Sequence, residues 1–308
     1  MAGMNASVLV LGSVNRDLIA HAPRLPLPGE TLRGHHFVSS LGGKGANQAV
    51  AAARLGAQVR LIARVGRLDG GEELLAALRR EGVDVTRCQQ PDAESPGVAL
   101  IVVGADSGEN QIVTVAGSNA TLRAESLDSL PLSGVQWLVA QQELPIEALD
   151  AAFRHARAAG GRVLLNAAPF REEARRLLPL VDVLVVNEGE AAALLGAPVS
   201  APVVADAAER LLALGPRAVL ISLGSAGVQW QDGKQRLHRP ARQVRAVDTV
   251  GAGDTLVGAL VTALGEGHAI DAALDFAQAA AAWAVSRPGV QAAMPRRAEL
   301  DAWRGAEA

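Results

Sequence analysis

The chain has one cysteine, Cys88, and no tyrosine. A single thiol excludes an intrachain disulfide, and the expected location is a reducing compartment, the cytoplasm. Six histidines (His21, His35, His36, His155, His238 and His268) are scattered without ligand spacing, which with one cysteine leaves no readable structural zinc site. No excess of positive charge exists: the formal net charge is −3, so no phosphate-backbone binding and no nucleic-acid partner is expected. Long apolar runs are missing too. The most apolar region, residues 256–285, is interrupted by Glu266, His268, Asp271 and Asp275, which excludes a membrane-spanning helix there. Residues 1–11 lack a basic stretch leading into an apolar one with a small-residue cleavage site, so no secretory leader is expected. Disorder is excluded by the 49% hydrophobic and 20% charged composition, and 308 residues can bury a sizeable core.

What is present is an alternation. Short Val/Leu/Ile-rich runs at 7–12, 59–65, 135–140, 163–166, 183–187 and 218–223 read as strands. Between them, Ala- and Leu-rich segments at 46–55, 71–81, 146–159, 205–214 and 254–265 have helical spacing. This order predicts an α/β fold with a mainly parallel sheet covered on both faces. Two stretches break the rhythm. Residues 17–40 are rich in proline, and residues 97–115 hold two strand-like runs around Gly104-Ala105-Asp106-Ser107-Gly108, a hairpin signal. Together they predict a small β-sheet standing off the main domain, suited to a lid or a dimer contact. With no repeat, low-complexity tract or linker, a single domain over residues 1–308 is expected, its lid drawn from about 15–41 and 95–117.

Several motifs could carry chemistry. Asp248-Thr249-Val250-Gly251-Ala252-Gly253-Asp254-Thr255 leads into an apolar helix. Its small residues let a ligand approach the backbone, free N–H groups at a helix start hold negative charge, and Asp254 lies beside them. The same octapeptide also fits a helix cap followed by a glycine turn. Gly42-Gly43-Lys44-Gly45-Ala46-Asn47-Gln48 opens another helix. A Walker A loop would need Gly where Val38 stands and Ser or Thr where Gly45 stands; a dinucleotide fingerprint would need Gly at Gln48. What remains is a glycine-rich loop with Lys44 and Asn47 as donors for hydroxyl or phosphate oxygens, or a plain helix-entry turn. Gly12-Ser13-Val14-Asn15-Arg16-Asp17 follows the first strand, where ligands of open parallel sheets bind. Asn15 and Asp17 alternate there and could share a crevice, though both are also common turn formers. Asn187-Glu188-Gly189-Glu190 and Leu223-Gly224-Ser225-Ala226-Gly227 again follow strands. Glu190 could orient Mg²⁺ through water, or be one acid of a solvated helix start.

In this order, the motifs at 12–17, 42–48, 187–190 and 248–255 resemble the ribokinase family of sugar kinases, over nearly the whole chain. Gln142-Glu143-Leu144-Pro145 matches a sugar-contacting segment that many relatives lack. The resemblance implies a three-layer αβα sandwich with a β-sheet lid, dimerisation through the lids, and transfer of the γ-phosphate of ATP to the primary 5-hydroxyl of D-ribose. By the same resemblance, Asn15, Asp17, Gly43, Lys44, Asn47 and Glu143 contact the sugar, and Asp254 is the base. The backbone of Gly251, Ala252 and Gly253 forms the anion hole. Asn187, Ser222, Gly224, Gly227 and Gly253 bind the nucleotide, and Glu190 holds Mg²⁺ through water. A monovalent-cation site for K⁺ maps to Asp248, Val250, Ala284, Arg287 and Gly289. At its last position stands Ala293, where the family commonly offers a hydroxyl. Other sugars (2-deoxyribose, fructose) and adenosine are alternative substrates. The aromatics are few and none lies in the sugar motifs, which disfavours stacking of a nucleobase. A non-catalytic sugar sensor is a further alternative; it could lose the base or the anion hole, and both are intact.

Overall fold

The computed structural model describes residues 6–104, 109–127, 130, 132–200 and 203–306. Its larger sheet is built on strands β1 (Ser7–Leu11), β4 (Gln58–Ile62), β7 (Trp137–Gln141), β8 (Arg162–Asn166), β9 (Val183–Asn187), β10 (Ala218–Ser222), β11 (Val228–Asp232) and β12 (Arg236–Arg239). The spatial order is β12-β11-β10-β9-β8-β7-β1-β4. From β4 to β10 all neighbours are parallel; β11 and β12 add an antiparallel hairpin at one edge.

The period of two along each strand sorts the core into two halves. Val8 and Val10 of β1 face one side; Leu9 and Leu11 face the other. On the first side pack α1 (Lys44–Arg54), α2 (Gly71–Arg80), α6 (Ala252–Gly265), α7 (Ile270–Val285) and α8 (Arg297–Ala306). The second is covered by α3 (Ile146–Ala158), α4 (Glu188–Leu195), α5 (Val204–Leu212) and a 3₁₀ segment, Glu172–Leu180. Phe276 under the first face and Phe153 under the second are almost completely buried, and burial of each stabilises the fold by about 1.5–3 kcal/mol. The result is the expected three-layer α/β arrangement.

Boundaries moved where local geometry overrides composition. The strand expected over 59–65 stops at Ile62, after which Arg64 keeps only an isolated bridge to Gln89. The strand expected at 135–140 begins later, at Trp137, because Val135 is still in a turn, its N–H bonded to the Leu132 carbonyl. The apolar region 256–285 is two helices, α6 and α7, with a turn between them at Gly267.

The smaller sheet has order β3-β2-β5-β6, from β2 (Asn15–Ala22), β3 (His36–Gly42), β5 (Gly97–Gly104) and β6 (Asn110–Val115). It comes from the two stretches that broke the sequence rhythm. Residues 105–108 of the expected hairpin turn lie outside the described residues; the strands on either side pair antiparallel.

Candidate active site

The larger sheet's register brings the motifs to one edge. Gln141 at the end of β7 pairs with Asn166 at the end of β8, and Asn187 of β9 pairs with Ser222 of β10. The 12–17 motif leaves β1 at the same edge and becomes the first residues of β2. Polar side chains therefore converge beyond the carboxyl ends of five parallel strands, where an open α/β sheet offers its crevice.

At one end of this crevice, Asn15, Asp17 and Glu143 come together under the smaller sheet. Asn15 Oδ1 accepts from Asn119 Nδ2 at 2.8 Å, and Asn119 Oδ1 accepts the Val14 N–H at 3.0 Å. Asn119, on a 3₁₀ turn after β6, was not singled out from sequence; a lone Asn in Gly117-Ser118-Asn119 carries no pattern of its own. Glu143 accepts from the Ser13 hydroxyl and, at 3.2 Å, from the Lys44 N–H, tying the β1–β2 connection to the start of α1. Asp17 is buried. That burial, then the negative charges of Glu143 and Asp254, push its carboxyl up to about 7. Burial alone would lower the Lys44 ammonium, but Asp254, Glu143 and Glu190 together hold it above its ordinary value. Asn15, Glu143, Gln142, Pro169 and Arg171 line a cavity of about 460 Å³ that opens under β6.

Asp254 sits at the centre. Gly251 has φ 78° and caps α6 at its start, a conformation that suits glycine; the Ala252 N–H bonds the Thr249 carbonyl at 3.3 Å, and Gly251 and Gly253 line the crevice. Gly258 lies against α1: a Cβ there would come within 2.6 Å of Ala51 Cβ and 2.9 Å of the Ala52 nitrogen. Only this close approach lets α1 side chains reach Asp254. Asn47 Nδ2 donates to Asp254 Oδ2 at 3.0 Å, and Gln48 Nε2 donates to Oδ1 at 2.9 Å. Burial raises the Asp254 carboxyl above the ordinary carboxylate range, while Lys44, Gln48 and Asn47 work in the opposite direction. Gln48, Gln141, Asn166 and Gln291 were not expected at the site. Gln48 touches Asp254 directly, Gln141 and Asn166 reach it through Gln48, and Gln291 reaches it through Asn47; a single amide side chain, on a helix, a strand end or a turn, has no sequence signal for that.

On the far side of Asp254 two cavities run together. The smaller, about 120 Å³, is lined by Lys44, Asn187, Glu190, Ser222, Gly251, Gly253 and Asp254. Asn187 and Glu190 form a reciprocal cap on α4: Asn187 Oδ1 accepts the Glu190 N–H at 2.8 Å, and Glu190 accepts the Asn187 N–H at 2.9 Å. Burial first, then Asp254, raises the Glu190 carboxyl against the opposing influence of the Asn187 N–H and Lys44. The larger cavity, about 360 Å³, is mostly apolar and is bounded by Gly224, Gly227, Ala252, Gly253 and Gln278. Gln278 donates to the Arg239 and Pro240 carbonyls at 2.9 and 3.0 Å and so ties α7 to the segment after β12. The volume is in the range of small-ligand sites. Asp248 lies behind the helix start, with Oδ1 accepting from Val250 N–H at 3.0 Å and Oδ2 from Gly289 N–H at 3.1 Å. The Ala284 carbonyl accepts the Arg287 N–H at 3.1 Å, and Ala293 is buried beside this loop. Among the described residues, no group of three or more His, Cys, Asp or Glu is arranged to hold a metal by itself. Nor is any helix long and apolar enough to cross a membrane.

A buried carboxylate, a helix start beside it, a polar compartment at Asn15 and Glu143 and a mostly apolar cavity reaching Gly224 and Gly227 lie along one crevice. That is what an α/β small-molecule kinase requires. Comparison with known proteins narrows the class. The family model described as pfkB family carbohydrate kinase matches residues 5–297. A ribokinase of Haemophilus influenzae is 39% identical over 300 residues, 96% of this chain and 97% of the relative. A deoxyribokinase of Salmonella typhi is 35% identical, covering 94% of this chain and 95% of its own. The solved structure of Arabidopsis thaliana ribokinase complexed with ribose and ATP superposes with a TM-score of 0.88 at 29% identity, covering 97% of this chain and 98% of that one. The chain belongs to the pfkB family of carbohydrate kinases.

Proposed function

We propose that the chain phosphorylates the 5-hydroxyl of D-ribose with ATP, giving ribose 5-phosphate and ADP. The observation that carries this reading is the position of Asp254, buried between the compartment of Asn15, Asp17 and Glu143 and the cavity that reaches Gly224 and Gly227. In the reaction, Asp254 accepts the hydroxyl proton as the oxygen bonds to the γ-phosphorus and the bond to the β–γ bridging oxygen breaks. A carboxylate is a weak base, but phosphoryl transfer asks mainly for placement and charge stabilisation. The N–H groups at Gly251, Ala252 and Gly253 face the developing charge, Lys44 adds a fixed positive charge, and Asn187, Ser222, Gly224 and Gly227 border the nucleotide. The oxygen donors at Glu190 suit a hydrated Mg²⁺, which when bound neutralises phosphate charge. Those at Asp248 and the carbonyls of Val250, Ala284, Arg287 and Gly289 suit K⁺, although Ala293 leaves this set one side-chain oxygen short. Turnover with potassium is expected to exceed turnover with no added monovalent cation, and Ala293→Ser to widen the difference; equal rates would remove the cation from the reading.

Two further parts belong to this proposal. The chain works in the cytoplasm, in keeping with the free Cys88 thiol. It also pairs with a second copy through the smaller sheet. There the strand register puts Phe37, Leu100, Val113 and Val115 on the face opposite Asp17, and all four are exposed.

The second reading, 2-deoxyribose as acceptor, is favoured by the deoxyribokinase relative. An ADP-release assay across ribose, 2-deoxyribose, fructose and adenosine decides between them. Ribose is expected to give the highest kcat/KM; a higher value for 2-deoxyribose would transfer the assignment to it, and no ADP with any sugar would leave a binding protein.

A further inference from the structure

Gln48 is 1% exposed, so it is shut off from both substrates, yet every polar atom of its side chain is engaged. Its Nε2 donates to Asp254 Oδ1 at 2.9 Å and to Asn166 Oδ1 at 3.0 Å; its Oε1 accepts from Gln141 Nε2 at 2.7 Å. The direction of this amide chain is set at its ends. Asn166 spends its own NH₂ on the Val185 carbonyl at 3.2 Å, so its oxygen faces Gln48. An ionised Asp254 offers only acceptors. Gln48 must therefore present nitrogen to both and oxygen to Gln141. The cost falls on Gln141, whose Oε1 is buried with no partner among the described residues. A buried orphan acceptor is unfavourable and is rare in native folds. Gly12 makes room for it, since a Cβ there would lie 2.4 Å from that oxygen.

The two oxygens of Asp254 are thus held differently. Oδ2 is bonded to Asn47, which lies 7% exposed at the crevice with its own Oδ1 accepting from Gln291, whereas Oδ1 is bonded to a fully engaged amide that Gln141 and Asn166 hold inside the protein. We propose that Gln48 is the positioning residue of the catalytic carboxylate: locked between Gln141 and Asn166, it fixes Asp254 Oδ1 and thereby aims Oδ2 at the attacking hydroxyl. This rests on the assignment of Asp254 as the base. Held by Asn47 alone, the carboxylate would spend part of its time misdirected, and misplacement of a reacting group is felt in turnover rather than in ground-state binding. Loss of the donor also removes a bond that favours the ionised form. The charged groups facing Asp254 are Lys44 on α1, Asp17 on β2, Glu143 after β7 and Glu190 on α4, and none of them is altered by a change at Gln48.

The test is steady-state kinetics of Gln48→Met, a side chain of equal length without donors, with Gln141→Met and Asp254→Asn in parallel. For Gln48→Met, kcat is expected to fall about 10- to 100-fold, with KM for ribose and ATP changed less than about threefold. The acid limb of its kcat–pH profile moves to higher pH. Gln141→Met, one bond further away, should show the same pattern with a loss of about two- to tenfold, and decides the matter if Gln48→Met does not fold. Wild-type kcat and an unmoved acid limb in the folded variants, or kcat and KM falling in step, would overturn the positioning role. Asp254→Asn separates the two assignments. If it abolishes turnover while Gln48→Met stays at wild-type rate, only the role of Gln48 fails; if it keeps turnover, the base assignment and the inference built on it fail together.

Discussion

Asp17 shows how one side chain ties stability to pH. Its carboxyl is raised to about 7 in the folded protein by burial and by Glu143 and Asp254, against an ordinary 3.8. Between those two values the folded state holds a proton that the unfolded state has lost. Stability contributed by this group is therefore present at low pH and is lost as pH rises from about 4 to 7. The full effect is at most about 4 kcal/mol. Replacing Asp17 with Asn removes the penalty: the variant should melt higher than the parent at pH 8 and close to it at pH 4.5, as measured by calorimetry without sugar. A constant difference across that range would contradict the assignment. Asp17 was readable from sequence as a crevice residue because it alternates with Asn15 after a strand. Its raised carboxyl was not, because the neighbours responsible are 126 and 237 positions away in the chain, at Glu143 and Asp254.

At the scale of elements, the contact between α1 and α6 decides whether the site exists. Both helices were expected from their Ala- and Leu-rich spacing, and their starts were expected to carry Asn47 and Asp254. Their separation is set at Gly258, which meets Ala51 Cβ, the Ala52 nitrogen and the Gln48 carbonyl. Gly258→Ala should push the helices apart and cost about 1–3 kcal/mol in urea unfolding. It should also lower kcat, since Asn47 and Gln48 draw away from Asp254. Unfolding unchanged within about 0.5 kcal/mol would mean that the helices shift without strain. Helix ends show the limits of local reading. Strands and helices were legible within a few residues, but β11, β12, α7 and α8 were not anticipated. β11 and β12 are only five and four residues long and are mostly polar, with Val228, Trp230 and Leu237 as their apolar positions, and such short runs carry little signal.

For the whole molecule, the smaller sheet presents two unlike faces. Asp17 points toward the crevice, while Leu100, directly paired with Val113 across β5 and β6, lies on the outward face with Phe37 and Val115. This exposed apolar face is the one proposed to pair two copies, and that pairing has a direct test. Val113→Lys is expected to convert a two-chain particle into a single chain in sedimentation, with the far-ultraviolet circular dichroism spectrum unchanged. An unchanged sedimentation coefficient would place any association elsewhere. Because the same sheet borders the compartment proposed for the sugar, the variant should also raise KM for the sugar more than KM for ATP.

The amino-acid sequence by itself determined the α/β class and the two stretches that become the smaller sheet, and it singled out Asp254, the glycine turns and most of the polar groups that the structure brings to one crevice. These properties are written locally, in the period of apolar residues and in small residues where the chain must turn. Only the tertiary structure decided that Gln48, Gln141 and Asn166 hold Asp254, and that Asn119 holds Asn15. Strand register and the approach of α1 to α6 set those distances, and both depend on which residues pack across the sheet. Hydrogen-bond partners separated by a hundred residues or more acquire their meaning from that packing, because direction and distance, rather than residue type, make an amide a clamp on a carboxylate.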